Sequence, residues 1–168
     1  DNLLILEDSD RRSSTTLQDD RNLDDNQSDI SLSQQEVISP LCLAISRTNN
    51  PTGAEAGLGA LFTILENTGH DIKGNATWSM LIRSISACAG NTAERSNTAW
   101  ATCGMLAFRC LKLIVDDFLD VLPEPDKSSD GQSARNVLLD CCASFGSSTH
   151  DVNTSLTATG MLWTIADR

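Results

Sequence analysis

Apolar residues recur at intervals of three and four along most of the chain, in blocks separated by polar, Gly- and Pro-containing breaks. That period belongs to helices that bury one face. Order is expected from Ser33-Gln34-Gln35-Glu36, where a Ser cap and a Glu three residues on satisfy two backbone N–H groups reciprocally. Val37, Ile38, Leu41, Cys42 and Ile45 follow at helical spacing, with Pro40 placed to kink or delay the helix and Asn49 to Gly53 to stop it. A second helix is expected from about Ala54 to Thr68 on the stripe Leu58, Leu61, Phe62 and Leu65, ended by Gly69-His70-Asp71. The third, from about Ala76 to Ala89, aligns Trp78, Leu81, Ile82, Ile85 and Cys88 ahead of Gly90.

The fourth pattern is the longest. Trp100, Cys103, Ala107, Leu111, Ile114, Val115, Phe118 and Leu122 advance by threes and fours, with Lys112 and Asp116 paired at i, i+4 on the other face. Pro123-Glu124-Pro125 ends it. A fifth helix, from about Ser133 to Phe145, aligns Ala134, Leu138, Cys141, Cys142 and Phe145. The last begins near Asp151 or Asn153, either a good cap, and carries Leu156, Met161, Leu162, Trp163 and Ile165. Alternating runs are few and Tyr is absent, so the chain reads as all-α. Helix pairs returning after roughly 40–50 residues are the mark of stacked antiparallel hairpins, an armadillo- or HEAT-like α-solenoid fragment. A simple bundle is the competing arrangement. Residues 32–168 form this helical-repeat segment.

Residues 1–31 are different: beyond Leu3-Leu4-Ile5-Leu6 they are Asp, Ser, Asn, Gln and Arg with little to bury, the composition of an acidic disordered tail or linker. The chain starts with Asp and stops directly after the apolar run Met161 to Ile165, so both ends are expected to be cut points in a longer protein. Net charge of −11 argues against nucleic acid and against direct adsorption to anionic lipid. No apolar run is read as approaching the roughly 18–20 residues of a membrane helix, so any membrane contact is expected to be indirect. Six cysteines without a C-x-x-C pair, set among apolar residues, read as reduced thiols of a cytoplasmic protein. The sequons at Asn75 and Asn153 fall where helices start and are discounted.

Chemistry is sparse. His70 and His150 each precede an Asp in a loop, which gives half of an acid–base pair or, more simply, loop polarity. No nucleophile elbow, zinc spacing or phosphate loop is present, so no catalytic residue, metal site or cofactor is expected. Gly57, Gly59 and Gly104 are assigned to close helix approach. Asp116, Asp117, Asp120 and Glu124 (with Asp126) crowd the end of the fourth helix, where carboxylates oppose the helix dipole. They are a candidate patch for a basic partner, the plain alternative being a solvated face. Arg11-Arg12-Ser13-Ser14 makes Ser13 and Ser14 candidate phosphorylation sites in the tail.

The stretches Phe108 to Pro123 and Asp151 to Asp167, together with Ala60 to His70 and Trp78, resemble a helical segment of the large Arf guanine-nucleotide exchange factor superfamily, in the region called HDS. Leu162-Trp163 followed by Ala166-Asp167 is most similar to the non-catalytic Mon-two (Ysl-two) family. The resemblance implies a non-enzymatic scaffold with an armadillo-like fold, peripheral at the Golgi, trans-Golgi network and endosomes. It implies Dopey proteins and an Arf-like small GTPase as partners. The alternative is a regulatory helical domain of a catalytically active exchange factor. The matched positions are core positions, so no site residue carries over.

Overall fold

The computed structural model describes residues 20–89, 98–123, 132–147 and 151–168, with side chains from residue 34 onward. Six α-helices follow in order: α1 (Asp20–Arg47), α2 (Pro51–Thr68), α3 (Asn75–Ser86), α4 (Ala101–Leu113), α5 (Ala134–Gly146) and α6 (Val152–Ala166). A π-helical turn, Ile114–Phe118, and a 3-10 turn, Leu119–Val121, prolong α4. Among the described residues there is no strand.

Local chemistry sets most of the helix starts. Asn50 caps α2 by accepting from Thr52 N at 3.1 Å, and Pro51 occupies the first turn, where its missing N–H costs nothing. Ser133 caps α5 by accepting from Asn136 N at 3.1 Å. Asp151 caps α6 with Oδ1 accepting from Asn153 N at 3.0 Å. Gly74, before α3, has φ 86, a left-handed conformation that only glycine adopts cheaply. The start of α1 departs from expectation. Ser33 does not begin a helix; α1 already runs from Asp20, continues through Pro40, and takes in residues 20–31 of the segment read as a tail.

The helices form two staggered layers, with α1, α3 and α5 packed side by side and α2 packed on α4. Cys103 Sγ donates to Pro51 O at 3.1 Å and Cys110 Sγ to Leu58 O at 3.8 Å, both across 52 residues. A constant offset over seven residues means that α2 and α4 run parallel. Likewise Ala134 N donates to Asn75 Oδ1 at 2.6 Å, joining the start of α5 to the start of α3. Within each hairpin, α1 lies against α2 and α5 against α6. Antiparallel hairpins whose alternate helices stack in parallel make a solenoid-like all-α fold, as the periodicity predicts. The core is one continuous apolar cluster, with Trp78, Leu58, Leu81, Ile82, Leu111 and Leu138 fully buried.

Three expectations need correction. Of the three glycines assigned to close helix approach, Gly57 fits: a Cβ there would lie 2.7 Å from Ile45 Cγ1. Gly59 has nothing within 4 Å and Gly104 only an ordinary contact with the Cys88 carbonyl, so neither is required by packing. The tightest approach is instead at Gly69, where a Cβ would fall 2.3 Å from Phe118 Cζ. Finally, Thr98–Val121 is long and apolar enough to cross a membrane by length and composition alone. Its apolar stripe is consumed by the fold: Cys103, Ala107, Cys110, Leu111 and Ile114 are all buried in the shared core.

Candidate functional site

The end of α4 carries the acidic residues. In the π turn, Ile114, Val115 and Phe118 are buried, and Leu119 follows them inward. The wider turn lets these four sit inside while Asp116 and Asp117 face solvent. Phe118 locks the turn in place. Its ring packs on His70 at 4.8 Å and on Trp78 at 5.7 Å between centroids, beneath Gly69. Trp78 is itself held by Nε1 donating to Ile72 O at 3.2 Å. The acidic ledge therefore stands on a rigid base.

Its charge is partly answered from within. Lys112 bonds Asp116, and Arg168 Nη1 reaches both Asp120 oxygens at 3.1 and 3.0 Å. Among the described residues Asp117 has no cationic partner. Glu124 lies outside the described residues, as do Ser13, Ser14 and His150. Beside the ledge an open cleft of about 410 Å³ is lined by Asp120, Ser133, Asn136 and two arginines, Arg135 and Arg168. Leu119, Leu122 and Pro123 complete the lining, so the cleft is mixed in character, part charged and part apolar.

Of the groups weighed for catalysis, His70 and the cysteines are held in the packing. His70 lies against Phe118, and the Asp71 carbonyl accepts from Gln34 Nε2 at 2.7 Å, clamping α1 to the turn before α3. All six cysteines are buried as thiols. Burial pushes the thiols of Cys110 and Cys142 up to about 12 and raises those of Cys42 and Cys141 as well, which suppresses the nucleophilic thiolate. Among the described residues no group of three His, Cys, Asp or Glu side chains is placed to hold a metal ion. Asn75, in one of the two sequons, uses its amide to bridge Ala134 N and Gln132 O.

A second surface escaped the sequence reading. In α6, Ala158, Met161 and Ile165 are buried, yet Val152, Leu156 and Trp163 are exposed by 68, 66 and 76%. These three recur at intervals of four and seven, a second apolar stripe on the same helix. The available signal was the absence of any charged residue from Val152 to Ala166. A solvated helix face ordinarily carries charge.

No family model matches the chain, and no solved structure matches it significantly. It is similar to the human protein MON2 homolog, 27% identical over 140 residues, which are 81% of this chain and 7% of that protein. It is similar to the Schizosaccharomyces pombe MON2 homolog, 33% identical over 111 residues (66% of this chain, 6% of that protein). Similarity to the Drosophila melanogaster MON2 homolog is 39% over 61 residues, 36% of this chain and 3% of that protein. The chain thus spans less than a tenth of the length of these curated relatives.

Proposed function

The chain belongs to the MON2 family, and on that premise we propose that it is a non-catalytic scaffold segment of a membrane-trafficking protein. The observation that carries this reading is similarity to MON2 homologues of animals and of fission yeast, on an all-α stack of packed helix pairs. The proposal places it on the cytoplasmic side of Golgi, trans-Golgi network and endosomal membranes, held there through proteins of the Dopey family and an Arf-like small GTPase. A stacked-helix surface suits that work, because it offers rigid ledges on which a few anchors supply most of the affinity. The acidic ledge is the proposed contact for a basic partner segment. Asp117, which has no cationic partner among the described residues, is its centre. Residues 1–31 are proposed as an acidic linker segment regulated through Ser13 and Ser14, the helical part of α1 within it included.

The test is a pull-down with residues 1–168 from cytosol and Golgi membranes, read by mass spectrometry. Recovery of a Dopey protein or an Arf-family GTPase, reduced by Asp117→Lys, supports the reading. Recovery of neither by a folded helical sample removes it. Recovery undiminished by Asp117→Lys removes the ledge from it.

A further inference from the structure

We propose that the outer stripe of α6 is a packing seat for a further α-helix of the same, longer polypeptide, making α6 an internal layer of the stack. Leu156, Thr159, Gly160 and Trp163 stand at i, i+3, i+4 and i+7, the four positions that frame a hole on a helix surface. The floor of this hole is Gly160, and a Cβ there would meet nothing within 4 Å. Leu156 and Trp163 rise on either side as exposed walls. The shape accepts one large apolar knob from a facing helix. A flat or extended partner would leave the floor empty.

Three observations commit the occupant to the same chain. The helices already seen stack layer on layer, α3 on α1, α5 on α3 and α4 on α2, whereas α6 packs chiefly on α5 and its outer stripe carries no further layer among the described residues. A repeat that ends a stack turns a polar face outward to stay soluble. The uncharged α6, with Trp163 exposed, does the opposite, and at the other end of the stack α1 exposes Val37 and Leu43. The relatives also have ample chain to supply the helix, since this one matches at most 7% of their length. A second copy is the poorer occupant, because it would bring another net charge of −11 against the first. The inference rests on the scaffold reading only for the premise of a longer stacked protein.

The experiment exploits the six buried native thiols, which leave an introduced surface cysteine as the fast-reacting one. Leu156→Cys is labelled with a maleimide under native conditions in the 168-residue chain and in the full-length natural protein, with the site read by peptide mass spectrometry. Labelling in the full-length protein is expected to be at least tenfold slower. Gly160→Leu, which fills the hole, is expected to restore labelling there, while raising the thermal midpoint of the 168-residue chain. Equal rates in the two proteins overturn the proposal. So does slow labelling of the 168-residue chain that quickens on dilution, since a second copy would then be the occupant. Protection that survives Gly160→Leu overturns the assignment of the hole. None of these outcomes changes the pull-down, so failure here is distinguishable from failure of the scaffold reading.

Discussion

Gly69 and Gly160 offer the same substitution with opposite expected signs. Both have room in backbone terms: Gly69 has φ −56 and ψ −38, and Gly160 lies inside α6. In a helix interior Ala is better than Gly by about 1 kcal/mol. At Gly160 the new Cβ meets nothing within 4 Å, so Gly160→Ala should gain roughly that 1 kcal/mol. At Gly69 the Cβ would lie 2.3 Å from Phe118 Cζ and 2.6 Å from Cε1. Carbon atoms rest about 3.5–4.0 Å apart, so ring or turn must retreat by roughly 1 Å or more. The ring has little slack, because it is 2% exposed and wedged between His70 and Trp78. Overpacking of this kind costs about 1–3 kcal/mol, against a propensity gain of at most about 1. Gly69→Ala should therefore lose about 1–2 kcal/mol, a fall in Tm of roughly 2–8 °C for a chain of this size. Urea and thermal unfolding followed by circular dichroism measure both variants. The mechanism also predicts coupling: Phe118→Leu should cost less in the Gly69→Ala background than alone, by about 1 kcal/mol. A Gly69→Ala variant as stable as Gly160→Ala, or strictly additive with Phe118→Leu, refutes the steric argument.

Trp78→Phe keeps most of the buried ring but orphans the Ile72 carbonyl that accepts its Nε1–H, so a loss of about 1–3 kcal/mol is expected in urea unfolding. The Asp151 carboxyl is held below its ordinary range by hydrogen bonds from the Thr154 side chain, then from the Thr154 and Asn153 backbone. A folded value below the unfolded one means its contribution is fully present above about pH 4 and is lost as pH falls through the folded value. Comparing Asp151→Asn with the parent chain between pH 2 and 6 should show the two stability curves converging only at the acid end. Because all six thiols are buried, and burial raises those of Cys42, Cys110, Cys141 and Cys142, a disulfide dye at pH 8 should modify the folded chain only as fast as it unfolds. Rapid native modification of any of them would contradict that packing.

The helices were legible because each buries a stripe of branched and long apolar side chains at a period strands do not share. Leu58, Leu61 and Leu65 in α2, or Trp78, Leu81, Ile82 and Ile85 in α3, are read as core and are core. A cap that acts through its own side chain was legible at Asp151, though the one read at Ser33 was not a helix start. The start of α1 was not. Residues 20–31 have nearly no apolar period, and helix there depends on propagation from the packed part of α1 rather than on a local signal. The contact at Gly69 was invisible for another reason. A glycine after a helix reads as a stop, and nothing local reveals that a phenylalanine 49 positions away needs the space.

Surface chemistry divides along the same line. Periodicity says that a helix has an apolar face, but not how many neighbours share it. In α6 a single list of apolar residues, Leu156, Met161, Leu162, Trp163 and Ile165, turns out to serve two directions, with Met161 and Ile165 buried in the core and Leu156 and Trp163 left outside. The acidic ledge shows the converse. Four carboxylates near a helix end look like one site in sequence, yet Lys112 answers one, Arg168 answers another, and Asp117 alone among those described keeps its charge without an internal partner. Exposed pairs of this kind add little to stability. Their effect is to leave Asp117, among the described carboxylates of the ledge, uncompensated on a base fixed by Phe118 and Trp78. A basic partner drawn to this surface would be aligned by Asp117, and the helix dipole that disfavours a carboxylate there makes neutralisation by such a partner the more favourable.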